Sequence, residues 1–256
     1  LGMLSVIIPA YNEEEYLQRL LASIRRQRFS DYEVIVADAD STDRTSEIAR
    51  AWGCRVVPGG VPSTGRNYGA LAARGDLFLF LDADVVLEDT RFFSHAVAEM
   101  CARQFDVATC FVDPLSSQTI DRFFHGVFNT YISVMENIMP HAPGFCIFAK
   151  REAHMAIGGF DQAVVLCEDH DYVKRAAREG WPFGVLHCAK IPVSVRRFLR
   201  DGHWTVALKY VLAELHLLTK GSIKSDLFRY RFGYPKQFEK ALEQKTHAVV
   251  DRTRGN

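Results

Sequence analysis

The sequence predicts an α/β fold: a doubly wound, mostly parallel sheet with a helical extension at its C-terminal end. Three observations carry this. Short apolar runs alternate with helix-period segments through residues 5–81, in the order β-α-β-α-β-α-β. The connections are a few residues long, as crossover units allow. The run Leu77-Phe78-Leu79-Phe80-Leu81 is apolar throughout, which marks a strand covered on both faces.

The elements follow in order. Ser5-Val6-Ile7-Ile8-Pro9 is a β-branched run ended by proline, a buried strand. Asn12 is placed to cap a helix from Glu13, whose first turn holds three glutamates where the helix dipole favours acids. Leu17, Leu20, Leu21 and Ile24 then recur at helical spacing. Residues 32–37 form a second strand, and Ser41 or Asp43 caps a helix that stops at Gly53. Residues 55–57 are a short third strand. A helix runs from Ser63 towards Gly75, and residues 77–81 are the fourth strand.

Further strands are expected at 106–112, 144–148 and 183–186, and helices at 118–139 and from Glu168 to Gly180. Phe123, Val127, Tyr131 and Val134 recur near helical period and read as mostly core. Trp204, Leu208, Val211, Leu215 and Leu218 make a second apolar stripe. Core packing is the first reading, and an interfacial helix beside a basic tail on an anionic membrane is the second.

Composition narrows the classes. The 256-residue chain is 48% hydrophobic and 24% charged, which excludes disordered and collagen-like proteins. Lys+Arg and Asp+Glu balance at 31 each, so no global field points to nucleic acid. From Lys190 onward there are 14 basic and 6 acidic residues, so the front is acidic and the tail basic. Six cysteines without a C-x-x-C pair read as reduced thiols of a cytoplasmic protein. Leu1-Gly2 reads as a cloning remnant before Met3. No targeting segment and no membrane-spanning apolar run is expected.

Such sheets bind ligands beyond the C-terminal ends of their strands. Those ends carry Pro9-Ala10-Tyr11-Asn12-Glu13, Asp38-Ala39-Asp40 and Asp82-Ala83-Asp84. Clustered carboxylates repel unless a cation or a donor-rich ligand satisfies them. Asp82 and Asp84 end an apolar strand, and two hard ligands with open positions suit Mg²⁺ or Mn²⁺ shared with a diphosphate. Asp38, Asp40 and Asp43 also read as turn formers and caps. Neither G-x-G-x-x-G nor a Walker A motif occurs, which argues against a Rossmann dehydrogenase and a P-loop NTPase.

The stretches SVIIPAYNEEEYL (5–17), EVIVADADSTDRT (33–45), STGRNYGALAARGDLFLFLDADV (63–85), GFCIFAKREAHMAIGGFDQ (144–162) and CEDHDYVKRAAREG (167–180) together resemble family 2 glycosyltransferases of GT-A fold. The resemblance covers about two thirds of the chain. It implies an inverting, metal-dependent transferase using a nucleotide-sugar donor, UDP-linked by expectation. It implies a GT-A catalytic domain over 3–200, with a nucleotide-binding half (3–105) and an acceptor-binding half (106–200), and a helical extension over 201–256. By the same resemblance Pro9, Tyr11 and Glu13 line the nucleoside pocket and Asp38 accepts a hydrogen bond from the base. Ala39-Asp40 stand where the family has an acid and a glycine. Arg66 approaches the diphosphate, although it also reads as an exposed helical arginine. Asp82 and Asp84 match the DxD motif that holds Mn²⁺ or Mg²⁺. Asp169 matches the general base, and Glu168 orients the site or touches the donor sugar. Asp171 is a competing base that does not align.

A downstream histidine serves some GT-A proteins as a further metal ligand, with His187 and His203 as candidates here. His141 falls near the cleft without a role. Arg196, Arg197 and Arg200 resemble a segment that closes over the diphosphate, and arginine's fork suits phosphate. The acceptor is expected to be a lipid-linked compound or a glycan, with the enzyme cytoplasmic or at the inner membrane surface. Two other readings remain. Asp82-Ala83-Asp84 also resembles the motif of aspartate-nucleophile phosphatases, and a silent sugar-nucleotide-binding domain would carry the same fold.

Overall fold

The computed structural model describes residues 2–136, 138–219 and 221–224. Most of the extension expected over 201–256 lies outside the described residues. The elements run β1 (Leu4–Ala10), α1 (Glu14–Arg25), β2 (Tyr32–Asp38), α2 (Thr45–Ala51), β3 (Arg55–Pro58), α3 (Pro62–Ala72), β4 (Leu77–Leu81) and α4 (Phe92–Ala102). They continue with β5 (Val107–Pro114), α5 (Thr119–Met135), β6 (Cys146–Lys150), α6 (Arg151–Ala156), α7 (Glu168–Arg178), β7 (Phe183–Val193), α8 (Arg196–Asp201) and α9 (His203–Thr219).

One sheet has the order β3-β2-β1-β4-β6-β5-β7. β1 to β4 pair in parallel, and so do β5 and β7; only β6 runs against its neighbours. That reversal sets the functional edge. β4 ends at Leu81 beside Cys146, the start of β6, so the chain entering β6 lies at the edge where β1, β2 and β4 end.

Alternation along the strands divides the core between two layers. Val6, Ile8, Leu79 and Leu81 face α1 and α4, whereas Ile7, Phe78, Phe80 and Ile147 face α3, α6 and α7. α3 approaches β1 closely because glycines stand at the contact. A Cβ on Gly69 would collide with Ile7, and one on Gly65 would lie 3.2 Å from Pro9. Arg66, between those glycines, is thereby carried under the sheet edge.

Several expectations need correction. Asn12 does not cap α1: it adopts positive φ, and its amide oxygen accepts from the N–H of Thr42 at 2.8 Å. The start of α1 is served from the next loop, where Asp43 accepts from Glu14 N–H and Thr45 Oγ1 from Glu13 N–H. The described residues of both apolar stripes point mostly outward, although Tyr131 packs against the core. Phe123, Val127 and Val134 of α5 are exposed, and Asp121, His125 and Ile132 face inward. Trp204, Leu208, Val211 and Leu215 of α9 are exposed, while Val206 and Ala213 are buried. Among the described residues no helix is long and apolar enough to cross a membrane.

Candidate active site

The acids at the strand ends are gathered by two arginines. Arg66 is the inner one, 1% exposed. Its Nη1 donates to Glu168 at 2.7 Å, and its Nη2 donates to Asp82 at 2.9 Å and to the Gly144 carbonyl at 3.0 Å. The end of β4, the chain entering β6 and the first turn of α7 therefore meet on one guanidinium. Burial opposes its charge, but Asp82 and Glu168 outweigh burial and push its pKa up, so it stays protonated.

Asp169 stands beside this centre. A Cβ on Gly144 would lie 2.9 Å from Arg66 Nη2 and 3.1 Å from Asp169 Oδ2, so a side chain there would press on both groups. The His170 N–H donates to Asp169 Oδ1 at 2.9 Å. Burial raises the Asp169 pKa, and Arg66 opposes the rise. Glu168 shifts the same way, through burial and its acidic neighbour against the pull of Arg66. Asp171, the competing base, is tied to Arg175 at 2.7 Å and to Ser222.

Arg196 forms the outer centre. β7 continues past its expected end at 186 to Val193, and Ser194 N–H then donates to the Asp84 carbonyl. Val85 bridges Val193, which brings the start of α8 beside the DxD segment. There Arg196 reaches Asp84 at 3.0 Å and both oxygens of Glu13 at 2.8 and 3.0 Å, with its guanidinium over the Tyr16 ring. Asp82 and Asp84 alternate with the buried Ala83 and Val85. Burial raises the Asp84 pKa, Arg196 opposes the rise, and Asp82 adds to it.

The remaining expected residues fall as follows. Asp38 ends β2, and its Oδ1 accepts from the Ser41 hydroxyl at 2.5 Å. Pro9 packs near Gly65, and Tyr11 is 44% exposed beyond β1. Arg197 donates to Tyr210 of α9 at 2.7 Å. Arg66 is not an exposed helical arginine: its two Nη atoms are engaged by protein oxygens, while its buried Nε has no hydrogen-bond partner among the described residues. His187 does not join the acids. It lies where the β5–β7 register jumps from Cys110↔Leu186 to Phe111↔Lys190. Its ring packs on Phe111, and its N–H donates to Glu99. His203 instead meets Asp121 at 2.6 Å. Among the described residues the one group of three metal-ligating side chains is His141, His170 and Glu214, outside the DxD rim. Sequence reasoning left that trio unassembled, since its members lie on three separate segments.

The profile of Glycosyl transferase family 2 matches residues 5–158, more than half of the chain. The chain belongs to glycosyltransferase family 2. It is 36% identical over 147 residues to 4,4'-diaponeurosporenoate glycosyltransferase of Staphylococcus haemolyticus, covering 53% of this chain and 36% of that protein. The chain thus spans about a third of that relative's length. Its fold matches a mannosyltransferase of Pyrobaculum calidifontis in complex with GDP-Man and Mn²⁺, with TM-score 0.67, 19% identity, and coverage of 85% of this chain and 70% of that one. It also matches S. aureus TarS in complex with UDP, with TM-score 0.61, 17% identity, and coverage of 85% and 72%. The architecture is the GT-A fold. Family membership removes the phosphatase reading of Asp82 and Asp84.

Proposed function

We propose that the chain is a metal-dependent, inverting glycosyltransferase that moves a sugar from a UDP-linked donor to an acceptor hydroxyl. The observation that carries this is the meeting of Asp82, Glu168 and Gly144 on Arg66, with Asp169 alongside and Asp84 at the same strand end. This arrangement supports a base facing a donor site across one cleft. The UDP and Mn²⁺ bound by structural neighbours support the donor and metal classes.

Asp84 and Asp82 fit Mg²⁺ or Mn²⁺. Both are hard oxygen donors at a strand end, and Asp84 is held half-buried against a positive charge. Such an ion, when bound, stabilises negative charge on the departing diphosphate as a Lewis acid. The chain's own groups do the rest. Asp38 and the segment Pro9–Glu13 offer a nucleoside wall at the ends of β1 and β2. Glu168, fixed by Arg66, orients the site. Asp169 accepts the proton of the acceptor hydroxyl at its carboxylate, and burial strengthens that proton affinity. Arg196 and Arg197 bring guanidinium groups to the rim from α8, where arginine's planar fork suits phosphate oxygens that would compete with Glu13 and Asp84 for Arg196.

The acceptor is a lipid-linked compound or a glycan, met at the cytoplasmic face of a membrane. The exposed apolar residues of α5 and α9 support the lipid case. Phe124 contacts Trp204 across the two helices, so the two outward stripes adjoin.

Thermal stability with UDP and GDP, with and without Mn²⁺, tests the donor and the metal. Stabilisation by UDP that needs Mn²⁺ and disappears in Asp84→Asn is expected. Equal stabilisation without metal would contradict the reading. With a UDP-sugar and acceptor, product of inverted anomeric configuration is expected. A chain that binds UDP but turns over no UDP-sugar would be a silent binding domain.

A further inference from the structure

His141 lies between α5 and β6, His170 in the first turn of α7, and Glu214 on α9. Their ligand atoms all fall within 4.8 Å of one another. His141 is fully buried, and its Nδ1 faces the Met139 carbonyl. A carbonyl only accepts, so Nδ1 carries the proton and the lone pair of the neutral ring sits on Nε2. That Nε2 faces both oxygens of Glu214, at 3.0 and 2.9 Å. A neutral ring would turn its lone pair towards a carboxylate, a contact that either a proton on Nε2 or a metal ion relieves. A ring nitrogen bonded to a backbone carbonyl while the other faces a ligand set is also the usual support of a metal-binding histidine.

His170 adds an independent sign. Its Nδ1 is buried and has no hydrogen-bond partner among the described residues. It lies 4.0 Å from Glu214 Oε2, too far for a hydrogen bond. Two ligand bonds of about 2.0 Å reach that far only in a straight line, so a shared tetrahedral ion would draw the two groups together by about 0.7 Å. Tetrahedral Zn²⁺ with such bonds holds its ligand atoms about 3.3 Å apart, between the two observed spacings.

We propose that His141, His170 and Glu214 form a second metal site, distinct from the carboxylate rim, that takes Zn²⁺ and fastens α9 to the turn carrying Asp169. Two imidazoles and one carboxylate select a borderline ion, whereas the paired aspartates of the rim select Mg²⁺ or Mn²⁺. The Tyr131 hydroxyl lies 3.2 Å from His141 Nε2 and could contribute a further ligand oxygen. His170 follows Asp169 and donates its N–H to that carboxylate.

The test uses the chelator-treated full chain titrated with Co²⁺ and then Zn²⁺, and it needs no sugar substrate. One equivalent of Co²⁺ with the visible bands of a four-coordinate site is expected, displaced by one equivalent of Zn²⁺. His170→Ala and Glu214→Gln should weaken binding by about 100-fold or more, taking the upper end of losses seen when only a ligand's support is removed. Asp84→Asn should leave the bands in place. X-ray absorption of the Zn²⁺-loaded wild-type chain, which depends on no variant folding, should show two imidazoles in a four-ligand shell. Absence of the bands, their survival in both ligand variants, their loss in Asp84→Asn, or a shell without imidazole would overturn the proposal. Glu214 and His141 would then be a plain ion pair.

Discussion

Arg66 and Arg196 do the same electrostatic work in opposite surroundings. Each guanidinium holds two carboxylates at the edge of one sheet. The side chain of Arg66 is 2% exposed and is carried by α3, which is locked onto β1 through Gly65 and Gly69. Arg196 is 17% exposed and rides on α8, a six-residue helix with no buried residue. One arginine is therefore part of the scaffold, and the other is a counter-charge on an element that little packing restrains. In the proposed function the difference gives a division of roles: the Arg66 centre fixes the proposed base, and the Arg196 centre yields to an incoming donor.

Breaking the inner centre should have the largest effect on stability. Arg66→Met strands Glu168 and Asp82 without their buried partner, at a cost of about 3–5 kcal/mol in denaturant unfolding. A loss below about 1 kcal/mol would take Arg66 out of the scaffold. Glu99→Gln sharpens the scaffold side. Glu99 accepts from the N–H groups of His187 and Cys188 and pairs with Arg103. Burial pushes its pKa up, but those donors outweigh burial and hold it at about 2 against an ordinary 4.5. A depressed acid stabilises the fold fully above its unfolded pKa and loses that contribution as pH falls. The variant should therefore be less stable by about 1–3 kcal/mol at pH 7, with the gap closing as pH falls from 4.5 towards 2. A gap that does not change with pH would show that Glu99 acts through shape alone. Arg196→Gln leaves Glu13 and Asp84, 11% and 17% exposed, without this partner; it should cost about 1–3 kcal/mol in folding, less than Arg66→Met, while altering UDP affinity in Mn²⁺. A loss equal to that of Arg66→Met would erase the contrast.

Much of this was legible in the chain. Alternating runs and short connections gave the parallel half, because local pattern and topology agree there. Asp82, Asp84 and Asp169 stood out through position: acids that close an apolar strand or open a helix. Other features left no local trace. α4 has no acid in its first turn and no base in its last, so beyond Asp89-Thr90 just before it little in the sequence announces its ends. The reversed direction of β6 and the jump in β7 at Leu186 depend on long-range pairing. The double engagement of Arg66 joins residues 102 apart, and helical spacing alone could not separate it from a solvent-facing arginine. The stripes on α5 and α9 have helical period whether a helix is covered by the core or faces outward, so periodicity cannot say which.

The most direct test is the turnover of Asp169→Asn with a UDP-sugar, read beside its UDP-dependent thermal shift and the wild-type pH profile. Transfer should fall by about 10²–10⁴-fold while the thermal shift persists. Because burial raises the Asp169 pKa, the acid limb of the wild-type kcat/KM profile should lie above the ordinary aspartate range, with activity rising as pH passes through it. Transfer within tenfold of wild type in Asp169→Asn would show that the proton goes elsewhere and would contradict the account.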